Sequence, residues 1–296
     1  MGDSIRLFHL PFSFMLPQRI ASERGYFAEE GLDVELVERD RADVDWKYIP
    51  AEETLTGDHE VDLYPVCKWE SLKRSWDMGD GRIVAKGTFA DQPYAVFTRL
   101  ETDIETAADL AGRPVGVNMR TGQEYTARRA LEDHMSPSGV QLEHAGMPTG
   151  RLEALRDGEV TAVTLLEPHS TLAEHLGFQR IMEYENHMGV VGADHIEGEH
   201  VDAFMRAYQR AVDEINANPD AFRDRYLEML DEELEVAPDL FEDVDLDTLR
   251  ETIEVPAYET PEMADEADLG EQLEWMKRRE LIDDDADIGA IVARLG

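Results

Sequence analysis

Four short stretches place groups capable of chemistry directly at or after apolar runs, where a buried strand releases the chain. His9-Leu10-Pro11-Phe12-Ser13-Phe14 ends the first run, and Cys67-Lys68-Trp69-Glu70 follows Val61–Val66 (VDLYPV). Arg120-Thr121-Gly122-Gln123-Glu124 follows Pro114–Asn118 (PVGVN), and Glu167-Pro168-His169 follows Ala162–Leu166 (AVTLL). Phe12, Phe14 and Trp69 offer aromatic faces to the body of a ligand. Lys68 offers an ammonium to an anion or, if buried, a nucleophilic amine. Thr121 and Glu124 form a T-x-x-E capping box, and Gly122 lets the backbone N–H groups of a helix N-terminus approach an anionic or polar ligand. The candidate ligand set is His9, Phe12, Phe14, Lys68, Trp69, Glu70, Arg120, Thr121, Gly122, Gln123, Glu167 and His169. Each has a plainer alternative. The phenylalanines also suit core packing, the Thr121 box plain capping, and Lys68–Glu70 a surface ion pair of little energy. Glu167-Pro168 also suits a structural turn, and His169 a group that orients others.

Other chemistries find less support. Nine histidines are present, but none forms HExxH or an equivalent pair on one helix face, and no metal site is expected. His195 and His200 flank Glu197 at a spacing common by chance. Cys67 is the only cysteine, so disulfides, CxxC zinc sites and iron–sulfur clusters within the chain are excluded, and it reads as buried filler.

These stretches need elements to position them. Ile5–Leu10, Leu32–Val37, Val61–Val66 and Ile83–Phe89 read as strands, with helices over Pro17–Gly25, 45–57 and Trp69–Met78 between them. The alternation repeats beyond residue 100: a short helix Thr106–Leu110, strand Pro114–Asn118, helix Gly122–His134, strand Leu142–Ala145, helix Gly150–Asp157, strand Ala162–Leu166 and helix Ser170–Gly177. Such βαβ units imply an α/β class with parallel sheets. From Gly198 only helices are expected, beginning with an amphipathic one over 199–217.

The chain has 296 residues, room for two domains, and 42% hydrophobic residues, enough for a real core. Its 28 basic and 66 acidic residues give a net charge of −38, spread along the whole length. Phosphate backbones and anionic lipids repel such a chain, which sets nucleic-acid and membrane-surface binding aside. Carboxylate enrichment with only five lysines resembles proteins of salt-in halophiles. The apolar stretch Leu7–Leu16 contains His9 and Pro11, follows Asp3, and lacks a small-x-small cleavage site, so it does not read as a signal peptide. The expected location is therefore cytoplasmic, or the outer face of the membrane if a leader has been removed. No run of 18 apolar residues suggests a membrane span.

Three segments resemble one family. PFSFMLPQRIASERGYFAEEGLDVELVE is similar to the opening of the sulfonate, nitrate and thiamine-precursor type of solute-binding protein, with its ligand loop, helix and GYFxxEGLDVEL. ADLAGRPVGVNMRTGQEYTARRALEDHMS resembles its "DLxGKxVGV…G(T/S)" entry into the second lobe, and MPTGRLEALRDGEVTAVTLLEPHSTLAE its "ALxxGxVDAxxxxEP". The segments lie in family order over about residues 5–215. The resemblance implies a two-lobed type II periplasmic-binding-protein-like α/β fold with a helical C-terminal tail. Lobe 1 would hold 1–91 plus 191–296, lobe 2 would hold 92–190, and crossovers would fall near Phe89–Val96 and Tyr184–Val191.

Two functions follow from that fold. The favoured one is a binding protein that closes on a small polar or anionic molecule and feeds an ABC transporter permease, with no cofactor and no catalytic residue. The alternative is a cytoplasmic enzyme, either of the menaquinone or decarboxylase type or like the thiamine pyrimidine precursor synthases, which consume pyridoxal phosphate and a histidine of their own. The synthase pattern places a lysine and a histidine four apart after the third strand, where this chain has Val66 and Glu70 with Lys68 out of register. The cysteine-rich run at the second crossover is missing. Lys68 would be catalytic only in that reading.

Overall fold

The computed structural model describes residues 4–38, 61–79, 81–88 and 90–294. The helix expected over 45–57 lies outside them. The strands are β1 (Ile5–His9), β2 (Val34–Glu38), β3 (Leu63–Cys67), β4 (Gly81–Gly87), β5 (Tyr94–Arg99), β6 (Pro114–Val117), β7 (Gln141–His144), β8 (Ala162–Leu165), β9 (Phe178–Tyr184), β10 (Met188–Ala193) and β11 (Glu262–Met263). The helices are α1 (Leu16–Glu23), α2 (Tyr26–Glu29), α3 (Lys68–Met78), α4 (Gly122–Leu131), α5 (Pro148–Arg156), α6 (His169–His175), α7 (Gly198–Ala217), α8 (Arg223–Tyr226), α9 (Glu228–Val236), α10 (Leu246–Thr252), α11 (Glu266–Arg278) and α12 (Ile288–Ile291). The stretch expected as a helix at Thr106–Leu110 is a 3₁₀ turn, Ala107–Leu110, with Thr106 and Asp109 forming a reciprocal capping box.

Two sheets organise the molecule. The first has the order β11-β4-β10-β3-β1-β2 and the second β7-β6-β8-β5-β9. β1 runs parallel to β2 and β3, and β6 parallel to β7 and β8, as the βαβ reading requires. The sheets are nevertheless mixed, which corrects the expectation of parallel sheets. β10 is antiparallel to both β3 and β4, and β5 is antiparallel to both β8 and β9.

The reason lies in the crossovers. Strands such as β1 and β3 run toward the cleft between the sheets and release the chain there. A chain arriving from the other sheet enters at the cleft and must run away from it. β5 and β10 are those arriving strands, and they begin inside segments read only as crossovers. β10 pairs in the first sheet from Met188 onward, so the linking residues of the second crossover are 185–187.

β3 is buried along its whole length, as is β8, which explains their uninterrupted apolar sequences. α7 lays Val201, Phe204, Tyr208, Val212 and Ile215 against α1 and α2, with Phe27 and Phe204 stacked at 5.7 Å. The tail is not purely helical, because β11 adds an edge strand to β4. It also touches both sheets' layers: α10 packs on α6, whereas α12 packs on α3 and β4. Among the described residues no helix is long and apolar enough to cross a membrane.

Candidate functional site

β3 ends at Cys67, and α3 begins at the next residue. β6 ends at Val117, and a short loop leads through Thr121 into α4. The loop after β1, the first turns of α3, α4 and α5, and the second crossover converge on a cavity of about 130 Å³. Its walls are mostly apolar: Phe8, Phe12, Phe14, Met15, Tyr64 and Val66 from the first lobe, and Tyr94, Met147 and Leu166 from the second. Phe12 and Phe14 stack at 5.4 Å, and Phe8 meets Tyr64 at 4.6 Å. Apolar walls with a few polar groups between lobes are the usual form of a small-molecule site.

Phe12, Phe14, Glu70, Thr121, Gly122 and Gln123 line this cavity. The capping box at Thr121 takes a different form from the one expected. Thr121 Oγ1 accepts from Gln123 N at 3.3 Å and donates to Asn118 O, while Glu124 Oε2 accepts from Arg120 N at 2.8 Å. Gly122 also plays another part. A Cβ there would lie 1.9 Å from Cys67 Sγ and 2.6 Å from Cys67 Cβ, so its missing side chain admits β3 of the other lobe. Its N–H donates to Glu70 Oε2 at 2.8 Å.

The remaining candidates stand elsewhere. Arg120 is exposed, with φ at 63°. Glu167 accepts from Thr171 N and Oγ1, next to the cis Glu167-Pro168 bond. His169 is buried and hydrogen-bonds through Nε2 to Glu233 of α9. His195 contacts Asp62 at 3.4 Å, and His200 caps α7 with Glu197, so that histidine pair serves two unrelated structural bonds. Among the described residues no group of three His, Cys, Asp or Glu side chains could hold a metal ion.

Lys68 and Trp69 line a separate depression with Arg129, Tyr184, Glu271 and Trp275. Lys68 Nζ lies 5.2 Å from the centroid of the Trp69 ring, and burial pulls its pKa down. No lysine lines the interlobe cavity among the described residues, so an imine to pyridoxal phosphate has no partner there. The described lining therefore offers that cofactor no covalent anchor. Cys67 does line it, but burial pushes its thiol up to about 12, leaving it neutral rather than nucleophilic.

His9 is also buried, just behind the aromatic loop, with Nδ1 accepting from Gln18 Nε2 at 3.0 Å. Burial, helped by the Arg19 charge, pulls its pKa down to about 3. The unfolded chain then binds a proton below about 6.5 that the folded protein refuses. This contribution to stability is present above pH 6.5 and is lost progressively as the pH falls toward 3. The expected result is that His9→Asn unfolds with a shallower acid slope than the parent over that window, measured by urea titration at successive pH values. Parallel slopes would exclude His9 as a source of acid sensitivity.

The decisive group is one that strand-end reasoning passed over. Arg151 sits in the first turns of α5, 2% exposed, on the cavity wall. Its Nη1 donates to Gln123 Oε1 and, at 2.9 Å, to Gly146 O, and its Nε is buried without a partner. Its hydrogen bonds among the described residues thus run to neutral acceptors. Burial lowers its pKa to about 10, so it remains a cation at neutral pH. Asn118 and Asn186, also on the wall, each have a buried amide oxygen without a partner. A signal for Arg151 existed: Pro148 opens a helix directly after β7, the same strand-to-helix position that the other candidates occupy.

Residues 80–222 match the NMT1/THI5-like family. No curated protein sequence matches the chain. Its fold is that of the periplasmic binding proteins. The periplasmic aliphatic sulphonate binding protein SsuA of Escherichia coli superposes with a TM-score of 0.74 at 11% identity, covering 100% of this chain and 94% of that one. The alkanesulfonate-binding protein SsuA of Xanthomonas axonopodis pv. citri, bound to MOPS, gives 0.71 at 11% identity, with 98% of both chains covered. The desulfurization enzyme DSZB gives 0.60 at 14% identity over 99% and 96%.

Proposed function

We propose that this chain, built on the periplasmic-binding-protein fold, is a solute receptor that closes its two lobes on a small organic anion. The observation that carries the reading is Arg151. A guanidinium buried at the wall of an apolar cleft, whose hydrogen bonds among the described residues run to neutral oxygens, is costly in the ligand-free protein. An anionic head group would supply the missing counter-charge through charge-assisted hydrogen bonds. The aromatic and methionine side chains around it suit a short hydrocarbon or ring behind that head. The sulphonate-binding neighbours, one bound to a buffer sulfonate, support an acid of this kind.

Delivery to an ABC-type permease, and work at the outer face of the membrane, belong to this reading as the expected setting of such a receptor. The lobes divide at the sheets: β1–β4 with β10 and β11 hold one side of the cleft, and β5–β9 the other. An imine to pyridoxal phosphate gains no support from the cleft, whose described lining has no lysine.

The test is a thermal-shift panel of small sulfonates, carboxylates, phosphates and neutral or cationic analogues at equal concentration. Monoanionic organic acids are expected to raise the melting temperature in proportion to RT ln(1 + [L]/Kd), and the cationic and neutral analogues to leave it unchanged. A panel in which only neutral or cationic compounds stabilise the protein would overturn the reading.

A further inference from the structure

The cleft has two places suited to negative charge, and the chain itself fills one of them. The first is Arg151. The second is the N-terminus of α4, a ten-residue helix whose dipole and leading N–H groups make an anion seat. Glu70 reaches that seat from the opposite lobe: its Oε2 accepts the Gly122 N–H at 2.8 Å. Its Oε1 takes Arg74 Nε at 2.6 Å and Nη2 at 2.5 Å. Glu70 and Arg74 are each 7% exposed, so this is a buried and fully engaged carboxylate.

Among the described residues the cavity wall carries two charged side chains, Glu70 and Arg151, and Glu70 is paired with Arg74, which is not itself on the wall. Glu70 and Arg74 cancel. Cys67 and Tyr94 are neutral, since burial raises both pKa values. Arg151 remains as a single positive charge. The two seats are close together, because Gln123 follows Gly122 directly and its Oε1 accepts from Arg151 Nη1.

We infer that Glu70 is a specificity-determining residue that limits the ligand to one negative charge. The inference rests on the receptor reading and specifies its ligand class: organic monoanions, with dianions rejected. A ligand with one anionic head places it at Arg151 and its apolar body among the aromatics. A second anionic group on a molecule of this size would fall toward the α4 N-terminus and meet the Glu70 carboxylate at close range. Like charges so placed in a desolvated cleft repel strongly, and the favourable N–H is already taken.

2-(Methylsulfonyl)ethanesulfonate and ethane-1,2-disulfonate match in heavy atoms and differ in charge, so their relative affinities report on this directly. Calorimetry on the parent protein should show the monoanion binding at least about tenfold more tightly than the dianion. In Glu70→Gln the amide oxygen can still accept the Gly122 N–H, and the ratio should move toward the dianion by about tenfold or more. Glu70→Gln removes the carboxylate that balances Arg74, so Glu70→Gln/Arg74→Met, which removes the ion pair whole, is measured beside it. The double variant should move the ratio in the same direction by a smaller factor. An unchanged ratio in both variants overturns the role of Glu70 while leaving the receptor reading intact. If the parent protein binds no monoanion at all, the receptor reading falls and this inference with it.

Discussion

Arg151→Met should abolish binding of organic monoanions while leaving the ligand-free protein at least as well folded. Truncating one partner of a buried, hydrogen-bonded charge pair costs about 2–5 kcal/mol, or ~30-fold to a few thousand-fold in affinity. The ligand-free protein loses the bonds to Gln123 Oε1 and Gly146 O, but it also sheds a buried charge that has no carboxylate bonded to it among the described residues. These two effects oppose one another, so the melting temperature without ligand should change little or rise. Arg151→Lys keeps the charge but not the planar fork, and it should fall between the parent and the methionine variant. Calorimetric titration beside thermal melts separates binding from folding. Full affinity in Arg151→Met would remove the counter-ion from the site.

The second large effect is expected at Gly122. Its backbone does not occupy the left-handed region, and alanine suits the first turn of a helix, so α4 itself tolerates the change. The obstacle is Cys67, whose Sγ and Cβ lie 1.9 and 2.6 Å from the position of the new Cβ. β3 and α4 belong to different lobes, so the strain is relieved most readily by separating them, which also breaks the Glu70–Gly122 bond. Overpacking of this kind costs about 1–3 kcal/mol. Charged to the closed state alone, it lowers apparent affinity ~5- to 150-fold through the fraction of binding-competent protein. Gly122→Ala should therefore bind weakly and scatter X-rays as a more open molecule. Cys67→Gly/Gly122→Ala should recover both compactness and affinity. A Gly122→Ala variant as tight-binding as the parent would mean that the lobes do not close through this contact.

The alternation of apolar strands and helices was legible in the sequence because strands such as β3 and β8 are buried on both faces and read as unbroken apolar runs. β5, β9 and β10 are not legible in the same way. β9 is half-buried along its length and its apolar residues do not alternate strictly, and β10 carries Gly189 and Gly192 within its six residues. The glycine at 189 is required by Ser71, whose Oγ would lie 2.6 Å from a Cβ there. That is a tertiary constraint, written into the sequence as a residue that weakens the strand signal.

The sequence by itself determined that the recognition groups stand where strands end and helices begin, since those positions follow from local pattern. It could not decide which of them face one another. Lys68 and Glu70 are two residues apart on α3, about 200° around the helix, so when Glu70 faces the cleft Lys68 must face away from it. Only the packing of α3 against its sheet sets which of the two points inward. Arg151 shows the same dependence in reverse. Its local sequence resembles any early helical turn, and it becomes the charge centre of the site because the second sheet aims α5 at the cavity. There it lies beside Gln123, and its hydrogen bonds among the described residues run to neutral oxygens. Local periodicity encodes elements, but the rotation of each helix about its axis is settled by long-range burial, and the chemistry of this cleft depends on that rotation.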